Sequence, residues 1–372
     1  MQCDYFDAGA CRSCTLMGTG YAAQLAAKSA RVRALLDPAV PPGAWLPSQA
    51  NVESGFRNKA KLAVGGRRGA PTLGILDPLG RGVDLRHCGL HEPGLAQAVP
   101  AVADLVAASG LTPYDVPARQ GELKHVLLTW SPDAELMARF VLRSPGQLPR
   151  VRELVPALQA AVPGTRVVSA NVQPEHKAVL EGPEEIVLTR ADTLPMRVNG
   201  IRLHLRTRSF FQTSTAVAAA LYRQARDWAE EIGPSTVLDL YCGVGGFALH
   251  LAGPGRQVLG VEVAPEAVLS ARASARELGA AAMFEVGDAT AYLRDRPAPD
   301  LVVVNPPRRG IGSLADRLEA SAVEHLVYSS CSPASLAADL RRMPSLRVER
   351  ARLFDMFPQT DHCEVMVRLR RV

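Results

Sequence analysis

The segment TVLDLYCGVGGFALHLAG, Thr236–Gly253, reads as an apolar strand, a glycine-rich turn and an apolar helix in immediate succession. QVLGVEVAPEAVLSARASARELG (Gln257–Gly279) repeats the scheme, as do DLVVVNPPRRG (Asp300–Gly310) and HLVYSSCSPASLAADL (His325–Leu340). Continuous apolar strands alternating with helices predict an α/β fold whose mostly parallel sheet is covered on both faces. Ligand sites in such sheets lie outside the carboxyl ends of the strands. Asp239, Glu262, Asn305 and Cys331 all fall at or just beyond such ends, which points to one shared site.

The chain around this region has 372 residues, too many for one ordinary core. Three stretches are expected: 1–92, holding four cysteines and the start of a central domain; 93–200, a compact α/β domain; and 201–372, the catalytic domain. The stretch Gln24–Leu36 (QLAAKSARVRALL) has the spacing of an amphipathic helix. Apolar residues make up 47% and charged ones 21%, the balance of a globular protein. No apolar run reaches the ~20 residues that span a bilayer, and MQCDYFDAGACRSC (Met1–Cys14) lacks the features of a signal peptide. A cytoplasmic protein with no membrane partner is expected. The net charge of +5 does not itself indicate nucleic acid. Local runs such as GFRNKAKL (Gly55–Leu62) and RLHLRTRSFF (Arg202–Phe211) could neutralise phosphates, or simply be solvated faces.

The turn DLYCGVGGF (Asp239–Phe247) has G-x-G-G spacing, and a glycine loop alone is weak evidence for a cofactor. Glu262 follows Gly243 by 19 residues, where an acid binds a ribose hydroxyl in dinucleotide folds. Asp288, in FEVGDAT, ends the next strand and is placed to accept from an adenine amino group. With the NPP of Asn305–Pro307, the set resembles the class I S-adenosylmethionine-dependent methyltransferase fold. NAD is disfavoured by the glycine spacing. Amino-methylating enzymes carry an aromatic residue after NPP, and Arg308 stands there instead.

Methylation at C5 of uracil needs a thiolate that adds to C6 and a base that later removes the C5 proton. Cys331, at the start of a predicted helix whose amides would favour a thiolate, is the candidate nucleophile. Glu364, before a final strand, is the candidate base. Cys242 and Cys363 are expected to be packing residues.

SFFQT (Ser209–Thr213), DLYCGVGGF, NPPRRGI, YSSC and FDMFPQTDHCE (Phe354–Glu364) together resemble the RNA uracil-5-methyltransferases over essentially the whole chain. The resemblance implies that Gln212, Tyr241, Gly243, Glu262, Asp288 and Asn305 serve the cofactor or target pocket, with Cys331 as nucleophile and Glu364 as base. Tyr241 replaces a common Phe, and Asn305 a common Asp, so that position cannot act as an anion. The start at MQC, without a TRAM β-barrel, and GFRNKAKL, LTPYDV and GELKHVLLT are similar to the branch that methylates U747 of 23S ribosomal RNA. A monomer acting on that RNA is expected. The rivals are a methyltransferase for transfer RNA or another ribosomal uridine, and a non-catalytic iron–sulfur RNA-binding protein.

Cys3, Cys11, Cys14 and Cys88 form C-x7-C-x2-C plus one distant cysteine, a pattern open to zinc or iron. The family resemblance implies a [4Fe–4S] cluster. Target uridines must be extruded before a buried thiol can reach C6. Phe210 and Phe211 could stack on such a base or fill a core, and Arg57, Lys59 and Lys61 could track phosphates along one face of a strand.

Overall fold

In the computed structural model, which describes residues 1–293 and 297–372, the chain forms two compact units, each built from two separate stretches of sequence. The first unit comprises Met1–Cys14 and Ser54–Met196, the second Thr15–Glu53 and Arg197–Val372. Among the described residues no helix is long and apolar enough to cross a membrane.

The first unit opens with the short helix α1 (Asp4–Asp7); α2 (Tyr21–Leu36) belongs to the second. The first unit's sheet contains β1 (Lys59–Arg67), β2 (Ala70–Leu76), β3 (Gly82–Asp84), β4 (Leu123–Trp130), β5 (Leu136–Leu142), β6 (Thr165–Val172) and β7 (Glu184–Val187). The order is β3-β2-β1-β4-β5-β6-β7, antiparallel except where β5 pairs with β6. That crossover is made by α4 (Leu148–Ala161), and with α3 (Pro93–Ala108) it closes a core around Leu95, Val99, Val126, Phe140 and Val168. β8 (Leu194–Val198) and β9 (Ile201–Leu205) flank a turn at Asn199 and Gly200, whose φ values of 50° and 83° suit an Asn-Gly pair.

The second unit alternates strand and helix: α5 (Thr215–Ile232), β10 (Thr236–Leu240), α6 (Gly246–Leu251), β11 (Gln257–Glu262), α7 (Pro265–Leu278), β12 (Ala282–Val286), α8 (Ala289–Tyr292), β13 (Leu301–Val304), α9 (Leu314–Ala320), β14 (His325–Ser330) and α10 (Pro333–Leu340). Two long strands follow, β15 (Leu346–Phe354) and β16 (Glu364–Arg371). The sheet order is β12-β11-β10-β13-β14-β16-β15. β10 to β14 are parallel, while β16 runs antiparallel to both its neighbours. The helices begin and end where local chemistry directs. Ser214 caps α5 and Gly233 ends it at φ 69°; Pro265 opens α7 and Gly279 ends it at φ 65°. All four residues of β13, Leu-Val-Val-Val, are fully buried. At about 1.5–3 kcal/mol for each such side chain, that strand anchors the middle of the sheet.

Strand order reverses at β10, whose neighbours β11 and β13 are connected in opposite directions. A crevice at such a reversal, on the carboxyl edge, is where open α/β sheets bind ligands. The antiparallel β16 adds something a purely parallel sheet lacks. Ser330, the last residue of β14, pairs with Val365, so the start of β16 lies beside the end of β14. Residues 331 and 364 therefore meet at the same edge.

Candidate active site

The turn after β10 carries unusual backbone geometry. Tyr241 adopts φ 63°, a left-handed conformation that is strained for a non-glycine residue, followed by Gly243 at 54° and Gly245 at 83°. A Cβ at Gly245 would lie 2.9 Å from the Phe284 ring, so this glycine serves packing of α6 against β12. One at Gly243 would meet nothing within 4 Å, so that side of the turn is open. The Gly243 N–H donates to Glu262 Oε2 at 3.1 Å, and the Ala264 N–H donates to Oε1 at 2.9 Å. Asp288 caps α8, accepting from the Thr290 and Ala291 amides at 2.7 and 3.1 Å. Burial pushes the Tyr241 phenol up against the lowering effect of a hydrogen bond to Thr290, with a smaller upward push from the Asp288 carboxylate. Tyr241, Gly243, Glu262 and Asp288 are thus gathered at the ends of three adjacent strands.

Asp239, inside β10, belongs with them although its sequence position only marked a strand end. It is fully buried; Oδ2 accepts from the Ala248 N–H at 2.9 Å, and Oδ1 has no partner. Burial, with a contribution from Glu262, pushes its carboxyl up to about 8. An orphaned buried acceptor costs free energy that a cationic ligand group would recover. The open glycine turn and this acceptor together fit a ligand carrying an ammonium group.

The second half of the edge holds Cys331 and Glu364. Cys331 is half-buried directly after β14, and Glu364 is buried as the first residue of β16. Ser329 Oγ donates to Glu364 Oε1 at 2.7 Å. Burial pushes the Glu364 carboxyl up to about 7, against the lowering effect of that hydrogen bond. The Cys331 thiol is also pushed up, first by burial and then by Glu364, while Arg308 pulls it down. The expectation that helix amides favour a thiolate is corrected here. Burial outweighs the groups that lower this thiol, Arg308 and the cysteine's own backbone amide, so the net shift is upward; the helix begins at Pro333, which has no N–H to offer, and is capped by Ser332. Arg308 is the cation in the neighbourhood. Its loop is held by α10: Ser335 Oγ donates to the Arg308 carbonyl at 2.8 Å, and Asp339 Oδ2 accepts from the Ile311 N–H at 2.9 Å and the Tyr328 hydroxyl at 2.7 Å.

Gln212 is buried between β9 and α5, and Asn305 is partly exposed directly after β13. Phe211 is buried, whereas Phe210 is 69% exposed. Cys363 lies in the core of the second unit and its thiol is pushed up to about 12, chiefly by burial. Cys242 is buried as well and is raised for the same reason. Sequence reasoning missed Ser329 as a member of the site, and placed Asp239 at the shared edge without giving it a role. Two-residue periodicity puts Ser329 on the same side of β14 as Cys331, which was the available signal.

The iron–sulfur expectation does not survive. Among the described residues no group of three or more His, Cys, Asp or Glu could hold a metal ion. Cys3, Cys11, Cys14 and Cys88 share a neighbourhood in the first unit, since the other three all push the Cys14 thiol up. Burial is the larger cause of that rise, to about 11. Cys11 Sγ instead lies 3.5 Å from Ser13 Oγ. The phosphate track is also altered in detail: Arg57 lies near Cys14 and Cys88, pulling both thiols down, and burial lowers Lys59 to about 8.

The strand order, glycine turn and acids at successive strand ends define a class I S-adenosylmethionine-dependent methyltransferase, and residues 237–307 match the methyltransferase-domain model. Residues 293–372 match the family model described as tRNA (Uracil-5-)-methyltransferase. Two curated relatives, from Halothiobacillus neapolitanus and Cronobacter sakazakii, are each 46% identical over the whole of both chains. Both are named 23S rRNA (uracil(747)-C(5))-methyltransferase RlmC. The structure is similar to Pyrococcus abyssi tRNA (uracil-54, C5)-methyltransferase in complex with S-adenosyl-L-homocysteine, with TM-score 0.80 and 25% identity, covering 96% of this chain and 85% of that one. The chain belongs to the RNA uracil-5-methyltransferase family.

Proposed function

We propose that the protein transfers a methyl group from S-adenosylmethionine to C5 of a uridine in 23S ribosomal RNA, the counterpart of U747, through a covalent adduct between Cys331 and C6 of the ring. The observation that carries this reading is the pairing of Cys331 with Glu364 at one edge of the sheet, close enough for the carboxylate to raise the thiol. The full-length likeness to two proteins named for that ribosomal uridine supports the RNA assignment. The transfer RNA alternative rests on the more distant solved relative.

S-adenosylmethionine supplies an electrophilic methyl group on a sulfonium. In this reading Asp239 Oδ1 takes its ammonium group, Glu262 its ribose hydroxyls and Asp288 its adenine, with Tyr241 packed beside it. Gln212 and Asn305 meet the cofactor or the edge of the uracil. Cys331 Sγ, as the thiolate, adds to C6 and leaves C5 electron-rich; Arg308 favours that anion. C5 would take the methyl group as its bond to the sulfonium breaks, leaving S-adenosylhomocysteine. Glu364, ionised, then removes the C5 proton, the C6–S bond breaks, and the thiolate is restored. Ser329 holds Glu364 by one oxygen and leaves the other for the proton. A carboxyl poised at about 7 is matched to that task near neutral pH. Phe210, exposed beside Gln212, is suited to stack on an extruded base.

RNA transcribed with 5-fluorouridine tests this directly, because Glu364 cannot remove fluorine from C5. The expected result is a protein–RNA adduct stable to denaturation, absent in Cys331→Ala and mapping to one uridine of 23S ribosomal RNA. Absence of an adduct with the parent protein, or its persistence in Cys331→Ala, overturns the mechanism.

A further inference from the structure

A surface helix ordinarily lays an apolar stripe on the core. In α2 the inward residues are Gln24, Lys28, Val32 and Leu36, so half of the stripe is polar. Lys28 Nζ lies 2.7 Å from Asp355 Oδ1 and donates to the Phe357 carbonyl at 3.0 Å, with both side chains of the ion pair 1% exposed or less. Gln24 Nε2 donates to Gln359 Oε1 at 2.9 Å, and Gln24 Oε1 accepts the Gln359 N–H at 3.0 Å. Arg31 donates to the Asp361 carbonyl. Side chains at i, i+4 and i+7 of one helix thus grip alternate residues of a single loop, 355, 357, 359 and 361.

That loop leads into Glu364. Gln359 has φ 67°, a left-handed conformation a non-glycine residue holds only when its surroundings impose it. Stability alone does not explain the arrangement, since a buried ion pair is commonly no more stabilising than an apolar pair of the same size. A fixed geometry does explain it.

We propose that α2 is a positioning element for the proton-transfer step: Gln24 and Lys28, through Gln359 and Asp355, fix where Glu364 stands relative to the ring carbon. This rests on the reading of Glu364 as the base. It predicts a split between two halves of one reaction. The bonds from Gln24, Lys28 and Arg31 reach the loop before Glu364, while α2 meets the segment after Cys331 only by packing on α10, so proton removal depends on those bonds and attack by Cys331 does not.

The full chain and its Lys28→Met and Gln24→Met variants are compared on transcribed 23S ribosomal RNA containing either uridine or 5-fluorouridine, with S-adenosylmethionine present. In both variants the 5-fluorouridine adduct is expected to form within about threefold of the parent rate, while turnover on uridine RNA falls about tenfold to a hundredfold. A methylated protein–RNA adduct then accumulates on ordinary uridine RNA, a signature that general loosening of the fold does not produce. Unchanged turnover overturns the proposal, as does a parallel fall in adduct formation and turnover. Should Lys28→Met fail to fold by circular dichroism, Gln24→Met, which removes no charge, decides. A parent protein that forms no 5-fluorouridine adduct sinks the reading of the reaction and this proposal with it; a parent that forms one, beside variants that trap nothing, sinks the positioning role alone.

Discussion

The two halves of the second unit's carboxyl edge are assembled in different ways. At β10 to β12 the groups come from short sequence distances, a glycine turn and the next strand end joined by the 3.1 Å bond from Gly243 to Glu262. At β14 and β16 they come from afar: Cys331, Glu364 and, behind the base, Gln24 and Lys28 near the start of the chain. The first half needs only the turn chemistry of a strand–loop–helix unit. The second needs one strand to run against the others, so that its beginning meets its neighbour's end. The edge at β10 to β12 can therefore be inherited with the fold, while the one proposed for the reaction is built by long-range pairing.

The sharpest way to break this comparison is at the nucleophile. Cys331→Ala removes the proposed nucleophile, and turnover is expected to fall by about 10⁴-fold or more, with S-adenosylhomocysteine affinity unchanged. Single-turnover methylation and calorimetry measure the two; a loss of cofactor affinity of similar size would merge the halves that the structure separates. Glu364→Gln comes next. The amide can still accept from Ser329 but cannot take the C5 proton, so turnover falls about 10² to 10⁴-fold while a methylated adduct builds up on ordinary uridine RNA. Full turnover without adduct would assign the base elsewhere.

Legibility in the sequence follows the same division. Strand–turn–helix repeats exposed the parallel sheet, and acids at strand ends marked Glu262 and Asp288, because both signals are local. The antiparallel β16 was not visible, since apolar runs carry no direction. Nor could periodicity show that Gln24 and Lys28 of an amphipathic helix face inward, because a buried polar side chain looks exposed until its partner, over three hundred residues away, is known. The cysteines mark the opposite error: C-x7-C-x2-C left zinc or iron open and the family resemblance implied a cluster, but among the described residues no group of three or more such ligands could hold a metal ion.

Glu364 also leaves a mark on stability. Its carboxyl stands at about 7 in the fold against 4.5 when unburied, so as pH rises the unfolded chain releases this proton first. Between those values the folded state binds more protons, and its stability falls with rising pH, levelling off above about 7. The interval corresponds to roughly 3 kcal/mol for this fully buried group. Glu364→Gln removes the term. Urea unfolding should show parent and variant diverging in favour of the variant as pH rises from about 4 to about 8, and parallel curves would mean that the carboxyl titrates normally.

The smallest effect sharpens the cofactor half. Asp239→Asn keeps an oxygen for the Ala248 N–H but turns the unpartnered Oδ1 position into a donor, which cannot hold an ammonium group. Loss of one charge-assisted hydrogen bond is worth about 1.5–3 kcal/mol, so S-adenosylhomocysteine should bind about ten- to a hundredfold more weakly, with the fold intact. The pH dependence is the more specific readout. Burial holds this carboxyl at about 8, so below that value the parent must release a proton to pair with a cation, and affinity should climb as pH rises toward about 8 before flattening. Asn cannot titrate, and its profile should lose that slope. Calorimetry in buffers of different ionisation enthalpy counts the proton released; if the parent releases none, Asp239 does not meet the cofactor's cation, and the orphaned oxygen belongs to the turn alone.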